Sequence, residues 1–176
     1  MKNIVLFLLI LACASCARDH NKPSANLEFL SVEREGRLPL YDISFSSNID
    51  LQDIYGRGEG LGQASNNLIC ALENDSDFSV GNTIERSAYG LIEKSASGHV
   101  QGAFNYVTRA FLSETRNKGT SRRNLSVDEL NSILANKTDI PCKVVITAYG
   151  YKPYYSNTMH IPTADLLREI NKPKFN

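Results

Sequence analysis

An unbroken apolar run over residues 4–11 limits everything downstream of it. The run sits behind a basic start, Met1-Lys2-Asn3, and ahead of the small-residue stretch Ala12-Cys13-Ala14-Ser15-Cys16-Ala17. A cleavable export signal has a basic start, an apolar stretch of roughly 7–15 residues and a small-residue cleavage site. A membrane-spanning helix requires about 20 apolar residues, which this run does not supply. Residues 1–16 are therefore predicted to be a lipoprotein-type signal peptide, and the rest of the chain a domain that folds in an oxidising compartment.

Two cleavage chemistries fit these residues. A lipoprotein peptidase cuts before the cysteine that takes the lipid, behind a triplet resembling Leu-Ala-Gly. Cys16 follows Cys13-Ala14-Ser15, and Cys13 follows Ile10-Leu11-Ala12. Cys16 is the favoured lipid site, because lipid on Cys13 leaves a second thiol beside it; Cys13 is the alternative. An ordinary signal peptidase cutting after Ala14 or Ala17 would instead give a soluble periplasmic or secreted protein. No aspartate follows either cysteine directly, which in the enteric sorting pattern corresponds to the outer membrane. The expected location is the periplasmic side of that membrane, held by acyl chains at roughly 0.8 kcal/mol per buried methylene.

The signal also sorts the cysteines. With Cys13 and Cys16 assigned to it, Cys70 and Cys142 remain, and an exported domain with two cysteines pairs them. Both lie in apolar runs, Leu68-Ile69-Cys70-Ala71-Leu72 and Cys142-Lys143-Val144-Val145-Ile146. A bond closing so long a loop stabilises by roughly 4 kcal/mol in the chain-entropy model. A thiol enzyme pairing Cys70 with His99 or His160 would need an accessible, electropositive thiolate. The apolar neighbours argue against it.

Of the 176 residues, about 160 remain after the signal, enough for one domain around a single core. Hydrophobic residues at 42% and charged residues at 22% are globular proportions. A net charge of +0 supplies no field to draw in nucleic acid. Residues 17–26 are polar, contain Pro23 and read as a tether; residues 27–176 read as a single globular domain.

Within that domain, residues 27–33 alternate as a strand, Glu35-Gly36-Arg37 marks a turn, and residues 38–45 form a second strand, together a hairpin. A glycine-dense loop over residues 56–62 leads into residues 64–72, a buried helix or a buried strand. Asn82-Thr83-Ile84-Glu85 has the capping-box form, with Ile84, Ala88, Leu91 and Ile92 at helical spacing. Val100, Ala103, Phe104, Val107, Ala110 and Phe111 predict an amphipathic helix. Ser126 and Glu129 form a further capping box, with Leu125 stapled onto Leu130. Residues 142–149 read as a strand, and residues 164–170 as a last helix that starts at Pro162-Thr163 and stops before Pro173. This order predicts an α+β fold: a small antiparallel sheet packed against several central helices, with one disulfide.

The glycine loop has Leu at position 61, which breaks G-x-G-x-x-G, and no phosphate-binding loop is present, so no nucleotide is expected. Glu59 within that loop is a candidate general acid for a cell-wall or glycan hydrolase, with Asp50 or Asp53 as its second carboxylate. His20, His99 and His160 form neither H-x-x-x-H nor H-E-x-x-H, so neither a metal centre nor a cofactor is expected. No serine lies in G-x-S-x-G. Tyr151, Tyr154 and Tyr155 belong to a tyrosine-rich segment that offers stiff contact area with polar tips. Arg122 and Arg123 belong to a basic loop over residues 116–123 suited to an acidic partner.

The expectation is an exported protein, joined to the membrane through its N-terminal lipid, that binds a protein partner in the envelope without transforming it. An immunity or inhibitor protein against a periplasm-acting toxin or hydrolase fits best. An accessory role in envelope assembly or surface exclusion, and a hydrolase using Glu59, are the alternatives.

Overall fold

The computed structural model describes residues 17–36, 38–56, 62–95, 102–117 and 119–173. Nine strands form one antiparallel sheet that curls into a half-barrel. They are β1 (Leu27–Arg34), β2 (Leu40–Ser47), β3 (Gln63–Ala71), β4 (Arg86–Lys94), β5 (Phe104–Arg116), β6 (Ser121–Asn124), β7 (Asp139–Ala148), β8 (Tyr154–Tyr155) and β9 (Met159–Pro162). Their order is β1-β2-β5-β4-β3-β7-β8, with β6 paired to β5 and β9 to β7. The helices of the described residues are α1 (Val127–Leu134) and α2 (Thr163–Ile170).

Among the described residues, strand at 49% against helix at 11% overturns the helix-rich α+β expectation. The two central segments read as helices are β4 and most of β5. In β5, Tyr106, Thr108, Ala110 and Leu112 are buried while Arg109 and Phe111 are exposed, a period of two. Tyr, Val, Thr and Phe suit a pleated surface. The apparent helical spacing arises because Val107 and Phe111 place apolar side chains on the opposite face from Ala110. The capping box predicted at Asn82 does not form. The Asn82 amide instead donates to the Asp75 carboxylate at 3.1 Å and to the Asp77 carbonyl at 2.7 Å.

Other expectations hold. β1 and β2 pair as a hairpin from Leu27↔Ser47 to Arg34↔Tyr41. Residues 64–72 resolve as strand β3. At α1, Ser126 Oγ accepts from the Glu129 amide at 3.3 Å, and the Glu129 carboxylate accepts from the Ser126 amide at 2.9 Å, the reciprocal cap.

The inside of the curl is the core. Ile43 and Phe45 of β2, Leu68 of β3, Ala88 of β4, Tyr106 and Leu112 of β5, and Ile140, Val144 and Ile146 of β7 are all 2% exposed or less. Leu130 and Leu134 of α1 and Leu166 and Ile170 of α2 pack into the same cluster. Burying each large side chain of this kind contributes roughly 1.5–3 kcal/mol. Helix α2 lies against β1, β7, β9 and α1, filling the gap between the two ends of the curled sheet.

Cys70 and Cys142 stand directly opposite each other on β3 and β7 and form a disulfide, with Cα atoms 4.0 Å apart. The bond joins the middle of the chain to the late strand, as the sequence predicts. It leaves no thiol at position 70 for the Cys70–His160 pair, and His160 instead sits 2.5 Å from the Asp139 carboxylate. Where β4 pairs with β5, the two backbones approach so closely at one point that a Cβ at Gly90 would stand 2.3 Å from the Arg109 carbonyl oxygen. Glycine at this position permits that close backbone approach.

The polar stretch ahead of β1 is bonded to the body. Arg18 donates its amide to the Gly150 carbonyl at 2.9 Å, and its own carbonyl accepts from Lys152 at 2.9 Å. Ala25 is fully buried, and its amide donates to the Tyr154 hydroxyl at 2.6 Å.

Candidate functional site

Strand alternation turns Ile69 of β3, Tyr89 and Leu91 of β4, Phe111 of β5 and Val145 of β7 away from the core. Register then aligns Ile69 with Tyr89 and Tyr89 with Phe111, giving one cross-strand apolar row on the outer face. Helices cover only the inner face, so this row is left to loops.

One loop lies across part of it. Between β3 and β4, Phe78 and Ile84, each 9% exposed, pack onto Ala71 with Ile69 beside them, a small second core on the outer face. Short Asx turns shape the loop: Asp75 Oδ1 accepts from the Asp77 amide and Asp77 Oδ1 from the Ser79 amide, both at 3.0 Å. Gly81 supplies a φ of 107° that side-chain-bearing residues rarely adopt. The Tyr155 hydroxyl accepts from the Val80 amide at 2.9 Å, which fixes the loop to β8.

Between this loop and the sheet lies a cleft of about 330 Å³. Ile69, Tyr89 and Val145 form its apolar floor, Asp77 and Asn82 one rim, and Arg122 with Gly119 the other. The Arg122 guanidinium lies 4.7 Å from the centre of the Tyr89 ring, within cation–π range. Hydrogen bonds from the Ser79 hydroxyl and amide hold the Asp77 carboxyl below the usual carboxylate range. The lining thus includes one carboxylate and one guanidinium. Val80 of the cleft lining is 64% exposed, and Leu91 and Phe111, outside the lining, are 60% and 43% exposed.

The predicted contact residues divide between this cleft and other sites. Arg122 lines it, whereas Tyr155 does not line it and only holds the Val80 end of the loop through its hydroxyl. Arg123 turns away, donating to Glu114 at 2.8 Å and to Glu129 at 2.7 Å. Glu114 also pairs with Arg86 and Arg116, so Arg123 belongs to an ion network joining β4, β5, β6 and α1. Tyr154 is 1% exposed, and its hydroxyl donates to the Pro23 carbonyl at 2.9 Å; it is a core residue that offers no ring to a partner. Tyr151 is half-buried against Tyr55, ring centres 5.2 Å apart. Glu59, Cys13 and Cys16 lie outside the described residues.

Asp50, a possible second carboxylate for Glu59, has a different task. Its carboxylate accepts from Tyr106 at 2.9 Å, from the Gln52 amide at 3.0 Å and from Lys94 at 2.8 Å. Burial pushes its pKa up, and these three hydrogen bonds outweigh burial and hold it low. The group shapes the turn after β2. Among the described residues no cluster of three or more His, Cys, Asp or Glu side chains is placed to hold a metal.

Sequence reasoning missed Tyr89 and Leu91 as surface residues and took Phe111 for a helix face. The available signal was that apolar residues in residues 86–111 occupy both strand faces, which an ordinary half-buried strand does not do. Comparison with protein-family models, with curated proteins and with solved structures returns no match to the chain.

Proposed function

We propose that the chain is a lipid-anchored envelope protein that binds a protein partner without transforming it, acting as an immunity or inhibitor protein against a toxin or hydrolase of the periplasm. The observation that carries this reading is the outer-face cleft and its apolar surroundings. Exposed apolar area rimmed by polar groups marks interaction surfaces, and tyrosine and arginine are the side chains that most often dominate such contacts. Tyr89 and Arg122 are stacked at its edge, with Phe111 beside them in register. The disulfide agrees with an exported address, since such bonds persist in oxidising compartments.

The test is photo-crosslinking in intact producing cells. A crosslinking residue at Val80 or Phe111 is expected to yield a discrete adduct, identified by mass spectrometry as an envelope-acting hydrolase or toxin. The same residue at Glu28, on β1, gives none. The purified partner is then assayed with and without this protein and is expected to lose activity. Absence of adducts from both positions overturns the reading. So does loss of protection in Glu59→Gln with the fold intact, which would restore the hydrolase alternative.

A further inference from the structure

We infer that the tyrosine-bearing turn after β7 rests on the bilayer surface and that the outer-face cleft points away from it. The inference rests on the lipoprotein reading with lipid on Cys16. Arg18 is fixed by backbone hydrogen bonds on both sides, to Gly150 and to Lys152. Cys16 is two residues upstream, and two residues of chain span at most about 7 Å. A lipid on Cys16 therefore holds residues 149–152 within reach of the headgroups, whatever path the two residues take. A free ten-residue tether would permit any orientation; a strap that ends at Arg18 does not.

The residues brought to the surface suit it. Tyr149 is 76% exposed, and tyrosine settles at the headgroup level, where one end is wet and the other apolar. Arg18 and Lys152 are exposed beside it, with Lys152 also paired to Asp19 at 2.7 Å. Lys22 stands 5.8 Å from the Tyr55 ring. Basic residues next to an anchor gain from anionic headgroups. The cleft lies toward the other end of the same strands. On β7, Val145 of the cleft floor is three residues from Ala148, about 10 Å at 3.4 Å per residue, and Lys143, paired with Ile69 of that floor, is five residues away, about 17 Å. A partner in the aqueous compartment meets the cleft without contacting the membrane.

The full-length protein is purified with its lipid and placed in vesicles of phosphatidylethanolamine and phosphatidylglycerol carrying nitroxide-labelled acyl chains. A fluorophore is attached at Tyr149→Cys or, in a second sample, at Asn124→Cys; Cys70 and Cys142 are bonded to each other. Quenching at position 149 is expected to exceed that at 124 by severalfold. A ten-residue Gly-Ser insertion between Ala17 and Arg18 is expected to bring the two close to equality. Equal quenching in the uninserted protein overturns the orientation and leaves the lipoprotein reading standing. Fatty-acid labelling that survives Cys16→Ala also overturns it, because lipid on Cys13 adds three residues of reach. Absence of any fatty-acid label defeats both.

Discussion

The Arg122 guanidinium stacks over the Tyr89 ring at 4.7 Å, joining the β5–β6 hairpin to the middle of β4. At an exposed site such a contact contributes only about 0.5–1 kcal/mol to folding. Its position on the rim of the cleft matters more. Arginine on one wall and the Asx-turned loop on the other define an opening floored by apolar side chains. Substitution here is expected to change recognition while the fold persists.

The disulfide is a folding element. Its two cysteines are 72 residues apart in sequence, and closing a loop of that size removes about 4 kcal/mol of unfolded-state freedom in the chain-entropy model. Cys70→Ala/Cys142→Ala is expected to lose about that much in urea unfolding, and reductant to lower the wild-type midpoint similarly. A midpoint indifferent to reductant would contradict this.

Gly90 is required by the close approach of the paired strands β4 and β5. A methyl group there meets the Arg109 carbonyl at 2.3 Å and the Thr108 side chain at 2.8 Å. Overpacking of this kind costs about 1–3 kcal/mol, or a fall in Tm of about 3–9 °C for a domain of this size. Leu91→Ala, one residue on but facing outward, is expected to stay within about 0.5 kcal/mol of wild type. Calorimetry on the two variants checks the contrast.

Acid weakens the ion network. Hydrogen bonds from Arg123 and Ser126 hold Glu129 well below the usual glutamate range. Burial pushes Glu114 up, but its bonds and charge pairing with Arg116 and Arg123 win and lower it. A carboxylate depressed in the folded state stabilises fully above its unfolded value, about 4.3, and loses that contribution as pH falls below it. Tm is therefore expected to hold from neutral pH to about 5 and to decline below. Glu129→Gln is expected to melt lower at pH 7, with the gap narrowing toward pH 3. A gap constant across that range would contradict the assignment.

The ends of the chain were legible in the sequence and its middle was not. The β1–β2 hairpin alternates with one apolar face, and Ser126 with Glu129 caps α1 through local chemistry alone; neither depends on the rest of the molecule. In β4 and β5, Leu91 and Phe111 carry apolar side chains outward, filling the gaps that would have revealed a period of two. Thr108 and Gly90 then hide the inner face, one by being polar yet fully buried, the other by having no side chain. The local pattern fails at the strands that carry the candidate interaction surface, as expected where surface residues are chosen for something other than folding. The cleft was partly legible: Arg122 could be named, but not Tyr89, because only the β3–β4–β5 register places it in the floor beside Arg122.

The most direct measurement is the adduct yield from Val80 in intact cells, compared between wild type and Tyr89→Ala/Arg122→Ala. Paired hot-spot side chains cost about 2 kcal/mol or more when truncated, roughly a thirtyfold loss of affinity. The expected result is loss of most of the adduct, with Tm within about 3 °C of wild type and protection against the partner abolished. Adduct yield and protection both unchanged in a folded double variant would contradict the assignment of the outer-face cleft as the binding site.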